Sequence, residues 1–222
     1  MANENKMVLR DGTVVYQNEK GEVHRDGDLP AIIREDGSVE YRVNGKRHRD
    51  NGLPAVIFEE GHVEYWVDGR LFRENDLPTA VIYGKNQIWH NEKGEVHRDG
   101  DLPARVYPDG SQEWYKNGRV HRDGDLPARV NADGSEHWYQ FGLKHRGNDF
   151  PASVLANGTQ EWWFNGVLHR SGDLPARVRA DGSVEYWECG WRHRDLVKGP
   201  AVIKSDGTEQ FWVNGHRVDV DG

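Results

Sequence analysis

Short runs of alternating apolar and polar residues, broken by glycine, recur along the whole chain. Residues 103–123 read PARVYPDGSQEWYKNGRVHRD, with one turn signal at Asp109-Gly110 and a second at Asn117-Gly118. The first kind returns at Asp36-Gly37, Asp133-Gly134 and Asp181-Gly182, the second at Asn44-Gly45, Asn165-Gly166 and Asn214-Gly215. Asp-Gly and Asn-Gly between alternating runs are strong short-range signals for β-hairpins, because tight hairpin turns need positive φ. No segment keeps a helical period, so the pattern predicts an all-β chain.

The hairpins belong to a repeat. HRDGDLPA starts at His24, His97 and His121, with altered copies from His48, His145, His169 and His193, and Phe72 fills the remaining slot. From His97 onward the starts are 24 residues apart. Asn18 to Ala31 recurs unchanged 73 positions later, which is three units plus one inserted residue. A fixed period of this size means a repeat architecture. We expect a single repeat domain over residues 1–222, with about nine units recognisable between 11 and 215 and about eighteen strands. At two strands per unit the array would extend on the order of 85 Å. The stretch from Tyr83 to Lys93 is irregular and carries the extra residue, either as a duplication scar or as a local site.

Register follows from what each choice brings together. A three-residue loop with Gly in the left-handed region sets Ile33 opposite Val39, Ile57 opposite Val63, Val178 opposite Val184 and Arg105 opposite Glu113; a two-residue loop sets Ile33 opposite Glu40. The first is the better-matched arrangement. It gives the sheet two faces. One, the expected core, carries Ala31, Ala55, Ala104, Ala128 and Ala176, a Val/Ile column, and one aromatic per unit, including Tyr41, Trp89, Trp114, Trp138 and Trp162. The other carries Glu40, Glu64, Glu113, Glu161 and Glu185 with Arg105 and Arg177, and a second aromatic column: Trp66, Tyr115, Tyr139, Trp163, Trp187 and Trp212.

The order of aromatic, Asn-Gly, short strand with His, Gly-rich break, strand and Asp-Gly resembles the MORN repeat, in the divergent form found in phages and large DNA viruses. The resemblance implies an elongated, open antiparallel sheet of successive hairpins, with scaffolding or protein-binding roles. Two features depart from that family. HRDGDLP replaces its shorter HGxG break, and its basic residues, associated with phospholipid binding, are not enriched here.

Charge narrows the partners. With 37 acidic and 29 basic residues the net charge is −8, against the Lys/Arg surplus that nucleic-acid and anionic-membrane binders need. No stretch is apolar enough to span a bilayer and no signal peptide is visible. Cys189 is the single cysteine, so no disulfide framework is expected, and a reducing cytoplasm fits, the host's if the gene is viral.

Two patterns invite chemistry. The histidine ladder could bind metal, but successive members sit two strands, about 10 Å, apart, too far to share an ion with bonds of about 2 Å. In the chosen register Glu113 lies opposite His121 and Glu161 opposite His169, which gives each imidazole a partner. The Asp-Gly-Asp loops (such as Asp26/Asp28) supply too few oxygens for calcium and are explained by turn chemistry. Every placed His, Asp and Glu recurs with the period, so no catalytic residue, cofactor or metal site is expected.

The second aromatic column is the feature most suggestive of binding. It either supports cross-strand packing or, with Arg105 and Arg177, forms an exposed binding row, since contiguous exposed aromatics with Arg mark interfaces. The expected function is a non-enzymatic scaffold for a protein partner, with the open sheet ends as candidate homo-oligomer contacts. The alternatives are a phage-type antagonist that sequesters a small ligand or blocks a host defence protein, and a glycan-binding fibre module.

Overall fold

In the computed structural model, residues 5–83 and 85–219 are described. The chain divides into two compact units, Met1–Pro108 and Asp109–Gly222. Each contains an antiparallel ladder in which strands pair in chain order. In the first unit the ladder runs through nine strands from Asn5–Val8 to Arg105–Val106. In the second it runs through nine from Gln112–Glu113 to Glu209–Val213. Both are open sheets of repeated hairpins.

The register is the expected one: Ile33 faces Val39, Ile57 faces Val63, and Val178 faces Val184. At the first turn the Gly37 amide donates to Arg34 (3.0 Å), the Arg34 amide to Ser38 (2.9 Å), and Gly37 has φ 86°. The Asp36 carboxylate takes the Ser38 amide at 2.8 Å. That is a type I turn closed by a left-handed Gly, which explains why Asp-Gly marks this site. The Ser38 hydroxyl then accepts the Glu59 amide of the next repeat at 3.2 Å.

The strand count departs from expectation. Among the described residues there are 31 strands, not about eighteen. In most units the core aromatic breaks what would be one long strand, although Tyr16 and Phe211 lie inside the unbroken strands Val14–Gln17 and Glu209–Val213. The Trp138 amide donates to Ala152 of the next repeat (2.9 Å), while its carbonyl accepts from His145 of its own repeat (3.1 Å). The ladder therefore ends at this residue, and a short tip hairpin, Tyr139–Gln140 with Leu143–Lys144, continues beyond it. Equivalent tips follow the other core aromatics, for example Arg42–Val43 with Lys46–Arg47.

Tip hairpins close through two-residue turns with positive φ at both central positions, as at Asn44 (47°) and Gly45 (80°). Cys189 holds the Asn place at φ 49° and is exposed. Asn tolerates the left-handed region better than Cys. Cys189→Asn is thus expected to stabilise the protein by about 0.5–1 kcal/mol, read as a higher urea midpoint at unchanged slope.

The irregular stretch keeps the ladder register, with Ala80 opposite Ile88 and Val81 opposite Gln87. The inserted residue lies at its far end, in the turn where the Gly94 amide donates to Asn91 and the Asn91 amide to Glu95. Asn18 to Glu22 forms the same longer turn. The insertion lengthens a tip and leaves the ladder unbroken.

Candidate functional site

One face of each ladder is closed by the HRDGDLPA loops. The alanines at 31, 55, 104, 128, 152, 176 and 201 are fully buried, and Trp89, Trp114, Trp138 and Trp162 are 7–8 % exposed. Each loop Arg lies flat over its repeat's core aromatic: Arg49 over Tyr41 at 3.6 Å, Arg146 over Trp138 at 4.0 Å, Arg170 over Trp162 at 3.9 Å. The same guanidinium grips the second loop Asp of the preceding repeat. Arg49–Asp28, Arg146–Asp125, Arg170–Asp149 and Arg194–Asp173 are all paired through two nitrogens. Hydrogen bonds from these arginines hold the carboxyls of Asp28, Asp125, Asp149 and Asp173 below the ordinary Asp range. The Asp-Gly-Asp loops thus join repeat to repeat, and among the described residues no cluster of three or more His, Cys, Asp or Glu could hold a metal ion.

The histidine ladder has the same role, with partners other than those expected. His48 Nδ1 accepts the Asp68 amide of the next tip turn (3.1 Å), and Nε2 lies 3.0 Å from Asp50. His24 repeats this with Asn44 and Asp26. A backbone N–H can only donate, which fixes the proton on Nε2, where it points at the carboxylate. Glu113 and Glu161 are not the partners. Glu113 accepts from Tyr115 (3.0 Å), and Glu161 from Trp163 (2.9 Å) and Arg177 (2.9 Å). The strand break at the aromatic separates each Glu, committed to the ladder, from the His of the tip.

Of the two readings of the opposite face, cross-strand packing or an exposed row, the structure shows a face partly covered. Glu40, Glu113, Glu161 and Glu185 are buried, Glu40 only 1 % exposed. Glu40 is bound by Arg34, by Arg42 at 2.9 Å and by Arg47 at 3.1 Å. Burial alone would raise its carboxyl; hydrogen bonds from Arg34, Arg47 and Arg42 outweigh that and hold it at about 2. Glu185 sits likewise among Arg177, Arg179 and Arg192, with its carboxyl held low against burial. The second aromatic column lies over these carboxylates. Trp66, Tyr115, Tyr139, Trp163, Trp187 and Trp212 are all half-buried. Trp66, Trp163 and Trp187 donate to the Glu two residues back at 2.8–3.0 Å, and Trp212 to Gln210 at 3.2 Å. Arg177 bridges Glu161 and Glu185, and Arg105 stands in the ladder opposite Ile88. Trp66 and Arg105 belong to the first unit, and Tyr115, Tyr139, Trp163, Trp187, Trp212 and Arg177 to the second.

His137 interrupts the Glu column. Its Nδ1 is 2.7 Å from the Ser153 hydroxyl and its Nε2 is 3.3 Å from Asn131. Burial, reinforced by Lys144 and Arg129, pushes its pKa down to about 4. The folded protein keeps His137 neutral to about pH 4, while the unfolded chain protonates it below about 6.5. Stability should therefore fall on the order of 2 kcal/mol as pH drops through that window. His137→Gln, which places Gln as Gln210 stands in the same column, should reduce the slope in pH-dependent urea melts.

Among the exposed apolar side chains, several lie together on the tips of the second unit. Phe141, Leu143, Phe164, Val167 and Trp191 are 41–63 % exposed. Their counterparts in other repeats are Asn44 and Asn117 for Phe141, Lys116 but also Val43, Val67 and Val213 for Phe164, and Lys46, Arg70 and Arg119 for Leu143, Val167 and Trp191. Column-by-column comparison of the repeats carries this signal; a search for the most regular aromatic column passes over it. The loop leucines, including Leu53 and Leu126, are also half-open but recur in nearly every repeat. Between successive loops lies a groove, about 650 Å³ in the first unit, lined by His48, Arg49, Tyr65, Trp66 and Arg73. No helix is long and apolar enough to cross a membrane among the described residues. No protein-family model matches the chain, and no curated protein matches it.

Proposed function

We propose that the chain is a non-catalytic scaffold that binds a protein partner through its tip hairpins. The carrying observation is a contrast. The His, Asp, Arg and Glu that recur with the repeat are engaged in bonds within and between repeats, whereas five exposed apolar side chains lie on adjacent tips of the second unit. Isolated exposed apolar residues need no explanation; five on adjacent hairpins do. The resemblance to MORN repeats of phages and large DNA viruses supports a scaffolding role, and the lone cysteine suits a reducing cytoplasm. The rings of the second aromatic column are only partly covered, which keeps that face as the competing surface.

Partner capture by the immobilised full chain, quantified by mass spectrometry, separates the two. Leu143→Lys/Val167→Lys is expected to abolish capture, with Trp163→Ala/Trp187→Ala changing it little. The opposite result would move the site to the aromatic column, and equal capture by all forms would sink both. The inter-loop groove favours one further reading, an antagonist that sequesters a small ligand. A rise in melting temperature with one member of a nucleotide panel would support it.

A further inference from the structure

Four successive tip hairpins of the second unit present directly opposed pairs: Lys116 with Arg119, Gln140 with Leu143, Phe164 with Val167, and Glu188 with Trp191. The row is continuous. A Cβ on Gly166 would lie 3.3 Å from Leu143 Cδ2, and one on Gly190 3.8 Å from Val167 Cβ, so each side chain leans over the next turn. In order, these four are basic, polar with apolar, apolar, then acidic with aromatic, and a fifth tip, Val213 with His216, follows them. Lys116 leans on Asp123 at 2.8 Å, which leaves Arg119 as the cation at the open end of the row.

The geometry points to a second copy of this chain as the occupant, docked antiparallel about a twofold axis between the second and third of these hairpins. A twofold interface must be self-complementary, and this row is. The axis sets Leu143 of one copy against Phe164 and Val167 of the other. It also brings Arg119 of each copy to the Glu188 and Trp191 of its mate, pairing charges and laying a guanidinium on an indole. The area suits a dimer. Half-open side chains of this size offer about 500 Å² of apolar surface in total, the centre of an interface that typically covers about 800 Å² per partner. The tips of the first unit carry Lys46 and Arg70 at the Leu143 position, so like charges would meet there.

This inference rests on the reading of the chain as an interaction module, and sedimentation equilibrium of the full chain tests it. The wild type should dimerise, and Leu143→Lys/Val167→Lys, borrowing a residue the repeat already uses there, should be monomeric with an unchanged fold by circular dichroism. Arg119→Glu alone and Glu188→Lys alone should each weaken the dimer about tenfold or more. Mixing these two variants should recover a heterodimer, because both cross-copy pairs are then opposite in charge. A wild type that stays monomeric up to on the order of 100 µM, or a dimer indifferent to these substitutions, overturns the proposal. If the wild type is monomeric yet Leu143→Lys/Val167→Lys still abolishes capture of a different protein, self-association falls and the module reading stands.

Discussion

Trp162→Ala should cost about 3–5 kcal/mol, whereas Trp163→Ala, one residue along, should cost about 1–2. Trp162 is 8 % exposed. Its amide donates to Ala176 (2.8 Å), its indole nitrogen donates to the Asp149 carbonyl (2.9 Å), and Arg170 covers its ring. Truncation removes a large buried ring, leaves a cavity beside fully buried alanines, strips the Asp149 carbonyl of its donor and uncovers a guanidinium. Trp163 points to the other face. It is half-buried, with Lys144 4.7 Å above the ring and Glu161 accepting from its indole. Its loss removes one hydrogen bond and part of a lid, but Arg177 still holds Glu161. Urea melts at neutral pH read both values. Equal losses would mean that the Glu face is closed as tightly as the alanine face, and reversed losses would invert the two faces.

Glu40→Gln should cost about 3 kcal/mol at pH 7, the scale for removing one partner from a buried ion pair. Three guanidiniums converge on this carboxylate, and a neutral amide would leave them facing one another across a nearly closed site. The pH dependence has a definite sign. With its folded pKa held near 2 and its unfolded value near 4.5, Glu40 contributes fully above about pH 4.5, and the contribution is lost as pH falls through 2. The wild type and Glu40→Gln should therefore differ most above pH 4.5 and converge toward pH 2. A constant difference across that range would show that Glu40 is not held ionised in the folded state. This window lies below that of His137, so acid unfolding should show two stages, the upper one reduced by His137→Gln.

Residues adjacent in sequence settled the turns, the repeat and the register. Asp36-Gly37 and Asn44-Gly45 encode positive φ within two positions, and pairing Ile33 with Val39 follows from loop length and like-with-like matching alone. The alanine face was legible for the same reason, since alternation assigns every side chain once one is assigned. Exposure was not. Whether the Glu column faces water depends on Arg34, Arg42 and Arg47 folding over Glu40, and on rings such as Trp163 lying across Glu161. A period of two places Arg42 and Trp163 on the same face as Glu40 and Glu161, but does not say how far their side chains fold over, nor give the reaches of Arg34 and Arg47 from farther along the chain. The histidine partners were set by the break at most core aromatics, where one residue bonds to two different repeats. Regular positions are engaged both within a repeat, as Glu40 with Arg34, Arg42 and Arg47, and across repeats, as Arg49 with Asp28 and His48 with Asp68. The tertiary structure decided which side chains stay exposed, among them Phe141, Leu143, Phe164, Val167 and Trp191 on adjacent tips of the second unit.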